Sequence, residues 1–277
     1  MGELDINNSE SLNSNESPEE EKELSFSDKI VGVFTEPGVT YEKISKFPLK
    51  VTDWLVPYLI LFLIAAVCNL FVMRNPEIKY QAKQKQMEMY TKKLDEQVQE
   101  KKITPEQADA QKSQMEKQMG NMDSPLFMVF GLIGGVVGGF IVVLIMAGYF
   151  YLFSKFIFKD ECTFTGVLVA NGMTSYITII NAILAAILSL FFGRLLTDVS
   201  AASILNIEKG TILSYLLNKV DIFMIWAYLV FAIGLVKINK ANSSVKYYAM
   251  VFGSWVGWSL VFFFLTKNVP FLKGMGM

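Results

Sequence analysis

The chain has 277 residues, 52% of them hydrophobic, with 25 Lys and Arg against 26 Asp and Glu and no histidine. Its mean hydropathy of +0.38 is above that of an ordinary soluble domain, and the near balance of charge excludes the broad basic field of a nucleic-acid binder. The absence of histidine removes the commonest general base and metal ligand. The two cysteines, Cys68 and Cys162, form neither a disulfide framework nor a metal-ligand spacing, so no cofactor or metal site is expected.

Residues 1–24 carry eight acids and one Lys among Asn and Ser, without an aromatic. Such a stretch cannot bury enough apolar surface to offset its ordering entropy and is expected to be a disordered acidic tail. It has neither a basic n-region nor an early apolar run, so no cleavable signal peptide is expected. Residues 25–53 read as interfacial amphipathic helices. Phe26, Ile30, Val33 and Phe34 share one helical face, with Ser25 or Ser27 as N-cap. Glu36-Pro37-Gly38 breaks that helix. A second follows with Val39, Ile44 and Phe47, and its Lys43, Lys46 and Lys50 suit lipid headgroups. Two readings stand here, a packed connector and a lipid-sensing surface element.

Five apolar runs of spanning length then dominate the chain. A bilayer core about 30 Å thick needs roughly 20 helical residues, which residues 54–73, 125–153, 167–192, 222–238 and 247–265 approach or exceed. The expected fold is all-α: a polytopic membrane protein with five transmembrane helices and an inserted extramembrane helical hairpin.

The hairpin is the long first loop, residues 74–124, rich in Lys, Gln, Glu and Met. Met87, Tyr90, Leu94 and Val98 recur at helical spacing, as do Ala108, Met115 and Met119. Thr104-Pro105-Glu106-Gln107 supplies an N-cap, a proline at the first helical position and the Gln of a capping box. Two helices, about 76–101 and 105–121, are therefore expected. Neither apolar face is wide enough to stand alone, so each packs on the other or on a partner chain. A solvated hairpin without a partner is the competing reading.

Gly131, Gly134, Gly135, Gly138 and Gly139 give the second span overlapping small-xxx-small pairs, and Ala249, Gly253 and Gly257 repeat the device in the fifth. On a helix these make a groove for close helix packing. Spans two and five are thus expected to be central, and the grooves leave a homo-oligomer open. The third span carries the one polar stripe, Asn171, Thr174, Thr178 and Asn181, continued by Ala185. Amides and hydroxyls in hydrocarbon need partners, so the stripe faces the bundle interior, as hydrogen-bonding glue or as the wall of a pathway. Asp221 and Lys237 sit at span edges, where they can reach the interface. The loop 194–219 holds an amphipathic segment, and 266–277 is a C-terminal tail.

Catalysis has little support. No Ser-His or Cys-His dyad can form, and the adjacent Asp160 and Glu161 do not by themselves make an acid and base pair. Counting Lys and Arg leaves orientation undecided. Nine lie near the membrane on the N-terminal side, while ten fall in the hairpin segment on the other, where five more follow.

The run FTEPGVTYEKISKFP over 34–48, then Asp53-Trp54-Leu55-Val56-Pro57 opening the first span, resembles the entry of the bacterial branch of the Yip family of Ypt/Rab-interacting-protein-like membrane proteins. Cys162-Thr163-Phe164-Thr165-Gly166 before the third span resembles that family's second loop. So does Trp226, with Gly234-Leu235-Val236-Lys237 and a final span after it. The likeness covers about residues 26–267. It implies a five-helix bundle with a cytosolic N-terminus and the C-terminus outside, in a bacterial inner membrane. The bundle, the acidic tail and the hairpin together point to a non-enzymatic membrane-organising or protein-interaction factor whose partners, besides the lipid bilayer, are met through the 76–121 hairpin and the acidic tail. A small-solute or lipid transport component is the alternative. The long insertion and the lack of a proline near Ser175 and Tyr176 depart from the family pattern.

Overall fold

A computed structural model describes residues 22–121, 124–208 and 210–268. The expected acidic tail through residue 21 and the end of the C-terminal tail from residue 269 lie outside them. Among the described residues every regular element is helical.

The chain opens with two short helices, α1 (Phe26–Thr35) and α2 (Pro37–Ser45), joined only by Glu36. The Ser25 hydroxyl accepts from Asp28 N at 3.2 Å and starts α1, and Pro37 at the beginning of α2 turns the chain. The spanning helix α3 (Thr52–Met73) leads to the hairpin α4 (Pro76–Gln99) and α5 (Pro105–Asn121). Asn75 caps α4 through Glu77 N and Ile78 N. At α5 the Thr104 hydroxyl accepts from Gln107 N, and the Gln107 amide oxygen accepts from Thr104 N, a closed capping box.

Helix α6 (Pro125–Leu152) returns to the N-terminal side and ends in a π-helical turn, Phe153–Ile157. Helix α7 (Phe164–Phe192) is capped by Thr163 and stopped by Gly193, whose φ of +64° suits a residue without a side chain. Two short helices, α8 (Ala201–Ile204) and α9 (Ile212–Asn218), lie on the hairpin side. The last two are α10 (Ile222–Ile238) and α11 (Ser244–Asn268).

Among the described residues four helices are long and apolar enough to cross a membrane. The fourth crossing in chain order is different. Helix α10 has 17 residues, about 25 Å at 1.5 Å per residue, short of a core about 30 Å thick. It completes a span only together with α9, from which it is bent by 59°. The apolar run 222–238 is thus the longer arm of a bent helix pair that begins at Ile212, the geometry of a broken span or a re-entrant loop.

Helix α7 is the axis of the bundle. Of its apolar window 39% is buried inside the protein, against none for α6 and 11% for α11. Helices α3 and α10 pack along it. Gly172 of α7 lies against the backbone of Trp54, where an added Cβ would sit 2.7 Å from the Trp54 Cα. Gly234 of α10 receives the ring of Tyr41, whose hydroxyl donates to the Ala170 carbonyl at 2.8 Å.

Spans two and five are therefore peripheral, not central. Glycine spacing marks a surface that a backbone can approach, but lipid tails are as apolar as Leu, so the spacing leaves open whether chain or lipid lies there. At Gly131, Gly134, Gly135, Gly138, Gly253 and Gly257 an added Cβ would meet nothing within 4 Å. Gly139 alone is contacted, by the ring of Phe62.

Helices α1 and α2 are packed elements. Val33 and Tyr41 are fully buried and join Val169, Met173, Ile177 and Val230 in one core cluster. The buried face of α2 is Thr40, Tyr41 and Ile44, while Val39 is half exposed. Of the paired readings for 25–53, packing against α7 and α10 accounts for this face.

Candidate functional site

The break between α9 and α10 buries Asp221, the carboxylate that the sequence places at a span edge. Asp221 is 2% exposed. Its Oδ1 accepts from Phe223 N and Met224 N, both at 3.0 Å, capping α10. The Asn181 amide donates to both carboxylate oxygens, at 3.2 and 3.0 Å. All these partners are neutral. Asn181 lies nine residues beyond Gly172, the residue level with Trp54 at the start of the first span. That is about 13 Å along the helix. Asp221 is thus a buried acid at a helix discontinuity. A buried charge is costly unless it is hydrogen-bonded or paired.

The rest of the polar stripe turns back on its own helix. Thr174 is buried and donates to the Asn171 carbonyl at 2.6 Å, and Thr178 donates to the Thr174 carbonyl at 3.4 Å. Asn171 and Thr178 are half-buried. Of the four stripe residues, Asn181 is the one whose side chain bridges to another helix. Replacing Asn181 by Leu should cost about 1–3 kcal/mol, the penalty for leaving a buried acceptor short of donors. Asp221→Asn, which can still cap α10, should cost less. Thermal unfolding in detergent checks the order, and equal stability of wild type and Asn181→Leu would refute it.

On the N-terminal side an ion-pair network ties α1 to α3. Lys29 Nζ donates to Asp53 Oδ1 at 2.8 Å and to Glu23 at 3.2 Å, and Glu23 also holds Lys50 at 2.6 Å. The hydrogen bonds from Lys50 and Lys29 hold the Glu23 carboxyl below its ordinary value. Lys29 and Asp53 are both buried. A second pair, Lys237 with Glu42 at 2.6 Å, clamps α10 to α2. Lys237, at the end of α10, is thus held by Glu42 in a partly exposed pair. Sequence reasoning assigned no role to Lys29. The signal was there in its position between Phe26 and Val33 on the apolar face of α1.

A third cluster joins the π-helical turn to the α10–α11 connection. Asp160 accepts from Lys246 at 2.6 Å and from the Tyr247 hydroxyl at 2.9 Å, and the Asn239 amide donates to that hydroxyl at 3.2 Å. Asp160 is therefore committed to structural contacts. Burial pushes the Cys162 thiol up, against a smaller opposing effect of Ser154 and Asn239. A protonated, buried thiol is a poor nucleophile.

On the hairpin side, α4 and residues 194–218 enclose a cleft of about 360 Å³. Arg194 lies at its wall and donates to the carbonyls of Ser203 and Ile204 at 2.9 and 2.8 Å. No group of three or more acidic or Cys side chains placed to hold a metal occurs among the described residues.

These features define an all-α polytopic membrane protein built around one axial helix, with a bent α9–α10 pair and a helical hairpin. The Yip1 domain model matches residues 31–266, nearly the whole membrane-embedded part, and the chain belongs to that family. No curated protein and no solved structure matches the chain significantly.

Proposed function

We propose that this chain is a non-enzymatic, membrane-organising interaction factor, with its N-terminus in the cytoplasm of a bacterial cell and its C-terminus outside. The observation that carries the reading is the unpartnered glycine face of α6. This helix buries none of its apolar window in its own chain, yet Gly131, Gly134, Gly135 and Gly138 hold its backbone open. A helix that only faced lipid would gain nothing from four such residues, which each weaken a helix by roughly 1 kcal/mol relative to Ala. A neighbouring transmembrane helix, from a second copy or another protein, fills that groove. Ala249, Gly253 and Gly257 offer a second such face on α11. The hairpin and the acidic tail lie on opposite sides of the membrane and meet different soluble partners.

Gly135→Leu separates this reading from a purely internal packing role. The substitution should change the unfolding free energy of the isolated chain by no more than a surface site does, about 0.5 kcal/mol, and abolish crosslinks from α6 to its neighbour in native membranes. Persistence of those crosslinks would count against it. Deleting 76–121 and repeating crosslinking mass spectrometry tests the hairpin in the same way.

Asp221 favours a second reading, a transport component for a small solute or lipid. Intramembrane carboxylates and broken helices mark ion and substrate sites in transporters. Proteoliposome flux that depends on Asn171 and Asn181 would support it, and flux unchanged by their replacement with Leu would remove it.

A further inference from the structure

The cleft between α4 and residues 194–218 has the chemistry of an anion site at headgroup depth, and we propose that it binds the phosphate of an acidic phospholipid headgroup. Its volume, about 360 Å³, lies within the range of small-molecule sites. Two cationic side chains, Lys85 and Arg194, line it together with the neutral donors Gln81, Asn206 and Asn218, and no acid is among the lining residues. The neighbouring acid, Asp198, is already occupied by Ser200 N at 3.0 Å, the Ser203 hydroxyl at 2.6 Å and the Thr197 hydroxyl at 3.2 Å. A cationic, donor-rich pocket without a carboxylate stabilises a bound phosphate through charge-assisted hydrogen bonds.

Position supplies the lipid source. Arg194 follows the end of α7 at Phe192 by two residues, where that long apolar helix leaves the hydrocarbon, and Asn218 closes α9 beside it. Leu195, an exposed apolar side chain, is among the lining residues, and Leu205 and Ile212, close in sequence to lining residues, are exposed as well, so acyl chains find apolar surface nearby. Arg194 is pre-oriented for this by its two carbonyl contacts, which hold the guanidinium in place before any ligand arrives. The site does not depend on a partner helix against α6.

Native mass spectrometry of the full chain in nanodiscs of phosphatidylcholine doped with phosphatidylglycerol tests the proposal. The wild type should retain phosphatidylglycerol at least tenfold over phosphatidylcholine, and Lys85→Glu should remove that preference. Lys85 is exposed on α4, so the variant should fold, and an unchanged melting temperature verifies it. Lys85→Arg should keep the preference. A parallel titration of the detergent-solubilised chain with glycerol 3-phosphate identifies the source. Weak binding of this soluble ester beside strong lipid retention upholds the lipid, whereas equal or tighter Lys85-dependent binding of the ester overturns the lipid assignment. Equal phosphatidylglycerol retention by wild type and Lys85→Glu overturns the site altogether.

Discussion

Replacing Lys29 with Met is expected to destabilise the protein by about 3–5 kcal/mol, the range for removing one partner of a buried ion pair. Lys29 and Asp53 side chains are each 7% exposed and 2.8 Å apart. With Lys29 gone, the carboxylate keeps the Lys50 backbone N–H at 3.2 Å but loses its charged partner. The cost is desolvation left without compensation, so it should largely vanish when both ends are removed. The double variant Lys29→Met, Asp53→Leu should recover most of the loss, since a well-packed apolar pair replaces a buried ion pair at little or no penalty. A double-mutant cycle on thermal unfolding reads this directly. Additive single losses would show that the pair is not coupled. Because the pair joins α1 to the start of α3, the single variant should also raise proteolytic cleavage around Glu36, where α1 and α2 meet.

Gly172→Leu should be the second large effect, and its contrast with Gly135→Leu is informative. An added Cβ at Gly172 would lie 2.7 Å from Trp54 Cα and 3.1 Å from the Trp54 carbonyl oxygen. Those are backbone atoms, which cannot swing aside as a side chain can. Overpacking in a filled core costs typically about 1–3 kcal/mol, and with backbone as the obstacle the loss should reach or exceed the top of that range. Even Gly172→Ala should be measurably destabilised. At Gly135 the same change meets open space. Two glycines in two apolar spans thus differ in consequence, and folded yield in detergent separates them: Gly172→Leu lost, Gly135→Leu retained. Equal yields would mean that α3 and α7 do not approach as closely as their backbones indicate.

Nothing about Gly172 in the sequence sets it apart. It stands singly between Asn171 and Met173, without the small-xxx-small spacing that draws attention to α6. The close approach is created by α3 crossing α7 at that level, a property of the pair. The burial of Asp221 is hidden for a related reason. The apolar run 222–238 reads as one span with Asp221 at its edge, but the preceding stretch Ile212–Leu217 is also largely apolar and pairs with α10 across a 59° bend. The interruption at Asn218-Lys219-Val220-Asp221 was legible as a break. Its burial against Asn181 was not. The cleft at Lys85 and Arg194 was equally hidden, because its walls come from segments more than a hundred residues apart.

What the sequence determined by itself is local or one-dimensional. Apolar run length sets which segments enter the bilayer, since every backbone polar group in hydrocarbon must be satisfied by its own helix. Ser25, Asn75, Thr104, Ser124 and Thr163 mark helix starts because their side chains reach backbone donors two or three residues on. Membership of the Yip1 domain family rests on the same linear pattern. Tertiary structure alone decided that α7 is the axis, that α6 turns its glycines outward, and that Asp221 and Lys29 are buried. In water an apolar stripe points to the core. In a bilayer lipid and protein interior are equally apolar, so hydropathy does not say which face of a helix meets its neighbours.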